Sequence, residues 1–289
     1  MGNRGNAAAA GRSRWLLVRG LVVGGAFAAG SSFEVTPLLW DLGPAKETRQ
    51  FYYNRPINPS LIMLREQHRL DSIVAGATSD LERVQRITDW VHRQWKHKGD
   101  CPPQPNDPTA ILRAAQAGGE FSCREYAYVT AGCLNALGIR SRVVEIMPKD
   151  VAVRPAGAFH VVCEAFLNNR KKWVMADAQW NAVPTVKGYP LNLVELQAVL
   201  VRKTGGLDFG GIAPEMAQSY AEGMLPYIYF LITPFDHRIA GTALPRPVKG
   251  RLMLVPLGVQ VPAYFDSALR NGLVKTSNLG EFYGAPKHG

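Results

Sequence analysis

Between Ser122 and Ala176 one long helical pattern runs directly into three strand patterns, and no other stretch narrows the choice of fold as much. Ala127, Ala131, Leu134 and Leu137 recur along one side of a helix that begins at Cys123, and Gly138 stands where such a helix stops. Ser141–Met147, Phe159–Phe166 and Trp173–Ala176 then read as strands. Asn168-Asn169 and the basic residues after it predict a hairpin between the last two. Upstream, Ser79 and Glu82 have capping-box spacing, and Leu81, Val84, Ile87 and Val91 continue a helix to about Trp95. Residues 98–108 are rich in proline and read as a loop. Asp107 and Pro108 open a short helix over 108–117, closed by Gly118-Gly119.

The chemistry in this stretch starts at Cys123. A thiol at a helix N-terminus has its thiolate favoured by unpaired backbone N–H groups and the positive end of the helix dipole. A histidine beside it can hold the thiolate as an imidazolium partner and later protonate a leaving amine, and His160 opens the second strand. That histidine needs a carboxylate on its other ring nitrogen to fix tautomer and direction. Asp177 ends the third strand, and antiparallel pairing across the hairpin brings it beside His160. Because strand side chains alternate, His160, Val162 and Glu164 share a face, and Val161 and Cys163 point the other way, which removes Cys163 from the site.

A helix with Cys, a strand with His and a strand with Asp, in that order, resembles the transglutaminase-like superfamily, which also includes the peptide N-glycanases. The words that carry the resemblance are Cys123-Arg124-Glu125-Tyr126-Ala127, Ala136-Leu137-Gly138-Ile139 leading to Arg142-Val143-Val144, Phe159-His160-Val161 with Glu164, and Trp173 with Asp177. Their order and spacing, over about residues 80–200, are more specific than any one of them. The resemblance implies an α+β, papain/transglutaminase-like core with the nucleophile helix packed on an antiparallel sheet. It implies Cys123 as nucleophile, His160 as general base and acid, Asp177 as orienting carboxylate, and neither a cofactor nor a metal. It does not fix the reaction, since family chemistry spans transamidation, amide hydrolysis and deglycosylation. The turn Gly119-Glu120-Phe121-Ser122 lacks the Gln that precedes the nucleophile in many animal transglutaminases. An oxyanion would then rely on the Cys123 N–H and a second donor, for which Gln116 is a weak candidate.

Plainer readings stand beside these. Glu164 is either a group that tunes the site or an exposed strand carboxylate paired with a base. Glu125 either stabilises the first turn of the Cys123 helix, where acids are favoured, or contacts arginines of the site. Trp180 either walls the pocket or packs in the core, and Trp90 and Trp95 read as packing residues. His92, His97 and Cys101 have a spacing that matches no common zinc pattern.

The 289 residues carry a formal charge of +10, but Arg4, Arg12, Arg14 and Arg19 belong to a leader without acids, and about +6 remains beyond it. The rest of the basic residues are scattered apart from Arg170-Lys171-Lys172, a solvated hairpin tip, and no basic-aromatic motif supports a nucleic-acid partner. A basic start, an apolar segment from Trp15 to about Ala29 and the small residues Ala26-Phe27-Ala28 read as an export signal, with an uncleaved membrane anchor as the alternative. The expected location is secreted or periplasmic. Cys101, Cys133 and Cys163 make at most one bridge if Cys123 stays free. The expected organisation is a signal or anchor at 1–29, an extension at 30–78, the core at 79–200 and a C-terminal extension of unassigned role at 201–289. Acyl transfer or hydrolysis at a carboxamide of a protein or peptide, through a Cys123 thioester, is the leading function. A cysteine protease or peptidoglycan-peptide hydrolase, or a non-catalytic binding module on the same fold, are the alternatives.

Overall fold

The computed structural model describes residues 36–286 except 48, 56, 100, 102–105, 155–157 and 240–247. The leader expected at 1–29 lies outside the described residues, as do residues 100 and 102–105 of the proline-rich loop. No helix among the described residues is long and apolar enough to cross a membrane.

Five helices come first, and local chemistry explains where most of them start. In α1 (Pro59–Gln67) the Asn58 side chain accepts from Ser60 N at 2.9 Å, and a short α2 (Leu70–Ile73) follows. Ser79 Oγ caps α3 (Asp80–His92) by accepting from Glu82 N at 3.2 Å. This helix stops short of the expected Trp95 because its last turn tightens. Arg93 N and Gln94 N reach back only three residues, to Trp90 O and Val91 O. Asp107 Oδ1 accepts from Thr109 N and Ala110 N at the head of α4 (Pro108–Gln116). α5 (Cys123–Ala136) opens with a capping box formed by Ser122 and Glu125, and it ends before Gly138, whose φ of 80° a residue with a Cβ seldom adopts.

The strands β1 (Ser141–Met147), β2 (His160–Leu167) and β3 (Lys172–Ala176) form an antiparallel meander, with Val144 opposite Val162 and Cys163 opposite Ala176. Next come β4 (Ala182–Val186), β5 (Tyr189–Pro190), α6 (Leu193–Arg202), β6 (Leu207–Gly210) and α7 (Pro214–Met224). The chain ends with β7 (Phe230–Pro234), β8 (Arg251–Leu254), α8 (Asp266–Arg270), β9 (Leu273–Thr276) and α9 (Leu279–Tyr283). The main sheet has the order β3-β2-β1-β7-β8-β9, antiparallel except for β8 against β9, and a smaller sheet has the order β5-β4-β6. Half of the main sheet thus comes from residues beyond 200.

Helices cover both faces of the central strands. Val143, Val161, Cys163 and Val174 meet α1, α3, α4 and α5 on one face. Val144, Val162 and Met175 meet α6, α7 and α9 on the other. Sandwiched in this way, β2 is buried along its whole length. The fold is α+β, with α5 packed on a predominantly antiparallel sheet, as the sequence implies.

Candidate active site

Cys123 is the first residue of α5, so its backbone N–H belongs to the group that a helix leaves without an internal partner. Glu125 holds that end closed: its Oε2 accepts from Ser122 N at 3.1 Å and from Ser122 Oγ at 2.6 Å, and the residue is fully buried. The neighbours of Cys123 in the chain pack against one indole. Trp95 lies 4.4 Å from the Tyr126 ring and 5.7 Å from Phe121, and Tyr126 Oη donates to Trp95 O at 2.7 Å. Lys98 N bonds Phe121 O, which lays the His97 segment along the turn before Cys123.

His160 and Asp177 meet on the opposite side of the sheet from α5. The pairing of Cys163 with Ala176 sets Asp177 opposite Val162, so His160 is its diagonal neighbour on one face. His160 Nε2 and Asp177 Oδ2 are 2.7 Å apart. The imidazole is also hydrogen-bonded by the Cys123 side chain at the start of α5. With Nε2 engaged by Asp177, Nδ1 is the nitrogen that faces the thiol. The three residues are 9%, 4% and 1% exposed for Cys123, His160 and Asp177, so the site is almost closed to solvent.

Burial disfavours a charge on His160, but the Asp177 carboxylate outweighs it by attraction and by hydrogen bonding, with Cys123 adding to the effect, and the imidazole pKa is raised. Asp177 is itself held from several directions. Its Oδ1 accepts from Gln179 N at 3.1 Å, its backbone exchanges two hydrogen bonds with Ala182, and its Oδ2 takes a second donor, the hydroxyl of Tyr220 on α7, at 3.0 Å. The turn after it is tied to α3: His92 Nδ1 donates to Ala178 O at 3.0 Å, and Asn181 Nδ2 donates to Asp89 Oδ1 at 3.0 Å.

The structure therefore brings Cys123, His160 and Asp177 together and sends other candidates elsewhere. Glu164 is neither exposed nor beside the thiol. It is fully buried and bonds Arg142, Leu193 N and Tyr283 Oη, because β2 is covered on both faces. Cys163 lies in the core on the α5 side, and burial pushes its thiol and that of Cys133 up. All four cysteines are free thiols. Gln116, the last residue of α4, is exposed. No group of three metal-capable side chains occurs among the described residues, and His92 is engaged by Ala178 instead. Trp180 packs on Tyr220, with ring centroids 5.8 Å apart. Two groups at the site escape the sequence reading. The Tyr220 hydroxyl is one, and its only sequence signal is a tyrosine in a helical segment. The second is the indole N–H of Trp95; the ring packs on Phe121 and Tyr126, chain neighbours of Cys123, and the N–H is buried without a hydrogen-bond partner among the described residues.

Residues 67–178 match the family described as the transglutaminase-like superfamily. Over these residues, short of half its length, the chain is similar to the transglutaminase-like superfamily. The match runs from the end of α1 to the residue after Asp177, and so includes Cys123, His160 and Asp177. No curated protein matches the chain. Among solved structures it is similar to a candidate cysteine protease from Cytophaga hutchinsonii, with 16% identity over 43% of this chain and 40% of that one and a TM-score of 0.34. A candidate protease from Parabacteroides distasonis aligns at 18% identity over 39% of this chain and 25% of that one, with a TM-score of 0.28. Red sea bream transglutaminase aligns at 15% identity over 42% of this chain and 24% of that one, with a TM-score of 0.28. The chain thus spans well under half the length of each of these proteins.

Proposed function

We propose that this transglutaminase-like chain is a cysteine acyltransferase or amidohydrolase that acts on a carboxamide of a protein or peptide through a thioester at Cys123. The observation that carries this reading is the imidazole of His160, bonded on one side by Cys123 and on the other by Asp177. In this mechanism the Cys123 thiolate attacks the carboxamide carbon and a C–S bond forms. The carbonyl π electrons move to oxygen. The Cys123 N–H and the Trp95 indole N–H, a buried donor without a partner among the described residues, take up that oxyanion. His160 Nδ1 gives its proton to the departing nitrogen, the C–N bond breaks and ammonia or an amine leaves. His160, now neutral, accepts a proton from incoming water or a primary amine, which attacks the thioester and returns the thiolate. Asp177 keeps the imidazole in one tautomer and direction throughout.

Hydrolysis and transamidation share every step up to the thioester. The slight exposure of Cys123 supports a slender carboxamide-bearing side chain as the acyl donor over a thick folded backbone segment. The basic and apolar leader supports export to a periplasmic or extracellular location, with membrane association if the leader is retained. The test is mass spectrometry of protein and peptide acceptors incubated with the protein and a small primary amine. Amine incorporation or deamidation that is lost in Cys123→Ala establishes acyl transfer at a carboxamide, and backbone cleavage makes the protein a protease. Activity that survives in Cys123→Ala overturns the thioester.

A further inference from the structure

The carboxylate of Asp177 has a third group upon it that lies outside the family match. Tyr220 is the seventh residue of α7, more than forty residues beyond the end of residues 67–178, and its hydroxyl donates to Asp177 Oδ2 at 3.0 Å. This is the same oxygen that His160 Nε2 approaches at 2.7 Å. We propose that Tyr220 is a positioning residue for His160 that acts through Asp177: its hydroxyl fixes the shared oxygen and draws on its charge, and so sets how tightly the carboxylate holds the imidazole proton. The inference rests on the reading of Cys123, His160 and Asp177 given above and adds a fourth member to that relay.

The geometry gives the phenol little freedom. Tyr220 is 2% exposed, its ring meets Phe209 edge-on at 4.9 Å and Trp180 at 5.8 Å, and α7 is started by Pro214 in its first turn. Burial first, and then the charge and hydrogen bond of Asp177, raise the phenol pKa well above its ordinary value, so the hydroxyl keeps its proton and remains a donor. A carboxylate oxygen has lone pairs for two donors, and a donor on one of them leaves less negative charge for the other. Asp177 in a buried site without that second donor would grip the imidazolium harder. His160 must release its proton to the leaving nitrogen, so a tighter grip slows the step in which it serves as an acid. The other ionisable groups that face this pair are Cys123 and Tyr126 from α5 and His97 from the segment after α3. None of them shares Oδ2.

The test compares the full chain with Tyr220→Phe, which keeps the ring contacts and deletes the hydroxyl, and with 3-fluorotyrosine placed at position 220, a stronger donor of the same shape. The readout is the titration of His160 followed by NMR with labelled histidine, its signal among the six histidines identified by its absence in His160→Gln. Tyr220→Phe is expected to move the His160 midpoint up by about half a unit to one unit, which is what one ordinary hydrogen bond is worth. Fluorotyrosine is expected to move it down. With the substrate found above, Tyr220→Phe is expected to lower kcat about threefold to tenfold with KM unchanged. An unmoved midpoint in both variants, whatever happens to thermal stability, reduces Tyr220 to a packing residue and overturns the inference. The titration does not depend on turnover, so a shifted midpoint in a chain that shows no Cys123-dependent acyl transfer would sink the proposed function and leave the coupling standing.

Discussion

Two buried histidines should pull the stability of this protein in opposite directions as pH changes. The pKa of His160 is raised by Asp177, so the folded chain binds a proton that the unfolded chain gives up sooner. Its contribution is complete below the unfolded value of about 6.5 and is lost as pH rises through the folded value, so urea stability should decline above neutral pH, at a slope approaching about 1.4 kcal/mol per unit. In His160→Gln that decline should vanish. His237 is lowered to about 3, first by burial and then by Arg142, and stacks on Tyr53 with ring centroids 5.1 Å apart. The unfolded chain takes up a proton there that the folded chain refuses, so stability should fall as pH drops from about 6.5 toward 3, and His237→Phe should flatten the acid limb. At the sulfur, Trp95→Phe keeps the contacts with Phe121 and Tyr126 but removes the indole N–H. Loss of one oxyanion donor predicts a fall in kcat of about a hundredfold at similar KM, and an unchanged kcat would exclude the indole from the site. Cys123, His160 and Asp177 stood out in the sequence because each sits at the end of an element with a strong local signal. The partners of Trp95, Tyr220 and Glu164 were not legible there, since a buried indole, a helical tyrosine and a strand carboxylate meet residues distant in the chain.

Among the elements, those with their own caps were legible and those that exist only through distant pairing were not. Ser79, Asp107 and Gly138 mark α3, α4 and the end of α5 by local hydrogen bonding and backbone preference. β7 and β9 are short and take their form from β1 and β8. The packing of α5 on α4 was also hidden. Gly132 faces Pro108 so closely that an added Cβ would stand 2.4 Å from its Cγ, and Leu64 of α1 lies 3.5 Å away. A proline ring at a helix start cannot swing aside, so Gly132→Ala must push α4 outward in spite of the better helix propensity of alanine. The expected cost is about 1–3 kcal/mol by urea unfolding. A gain in stability would mean that α4 and α5 are not in close contact at Gly132.

The whole molecule is joined across its length by one buried ion pair. Arg142 on β1 bonds Glu164 on β2 at 2.7 Å, donates to Phe282 O in α9 at 2.7 Å, and lies beneath the rings of Trp173, Phe282 and Tyr283. Glu164 in turn accepts from Leu193 N at the head of α6 and from Tyr283. Removal of one partner leaves a charge in the core, so Arg142→Met or Glu164→Gln alone should cost about 3–5 kcal/mol, and Arg142→Met with Glu164→Leu should recover much of it. If the single and double variants unfold alike in urea, the pair is not the link described here. The same topology sets a timetable. A polypeptide made from its N-terminus delivers the thiol, the imidazole and the carboxylate long before Tyr220 and β7 emerge, and β1 waits with one edge bare. A nascent chain halted at that stage would hold Cys123, His160 and Asp177 on a half-built, adhesive sheet, and the segment that brings Tyr220 to Asp177 leads straight into the strand that covers the open edge of β1.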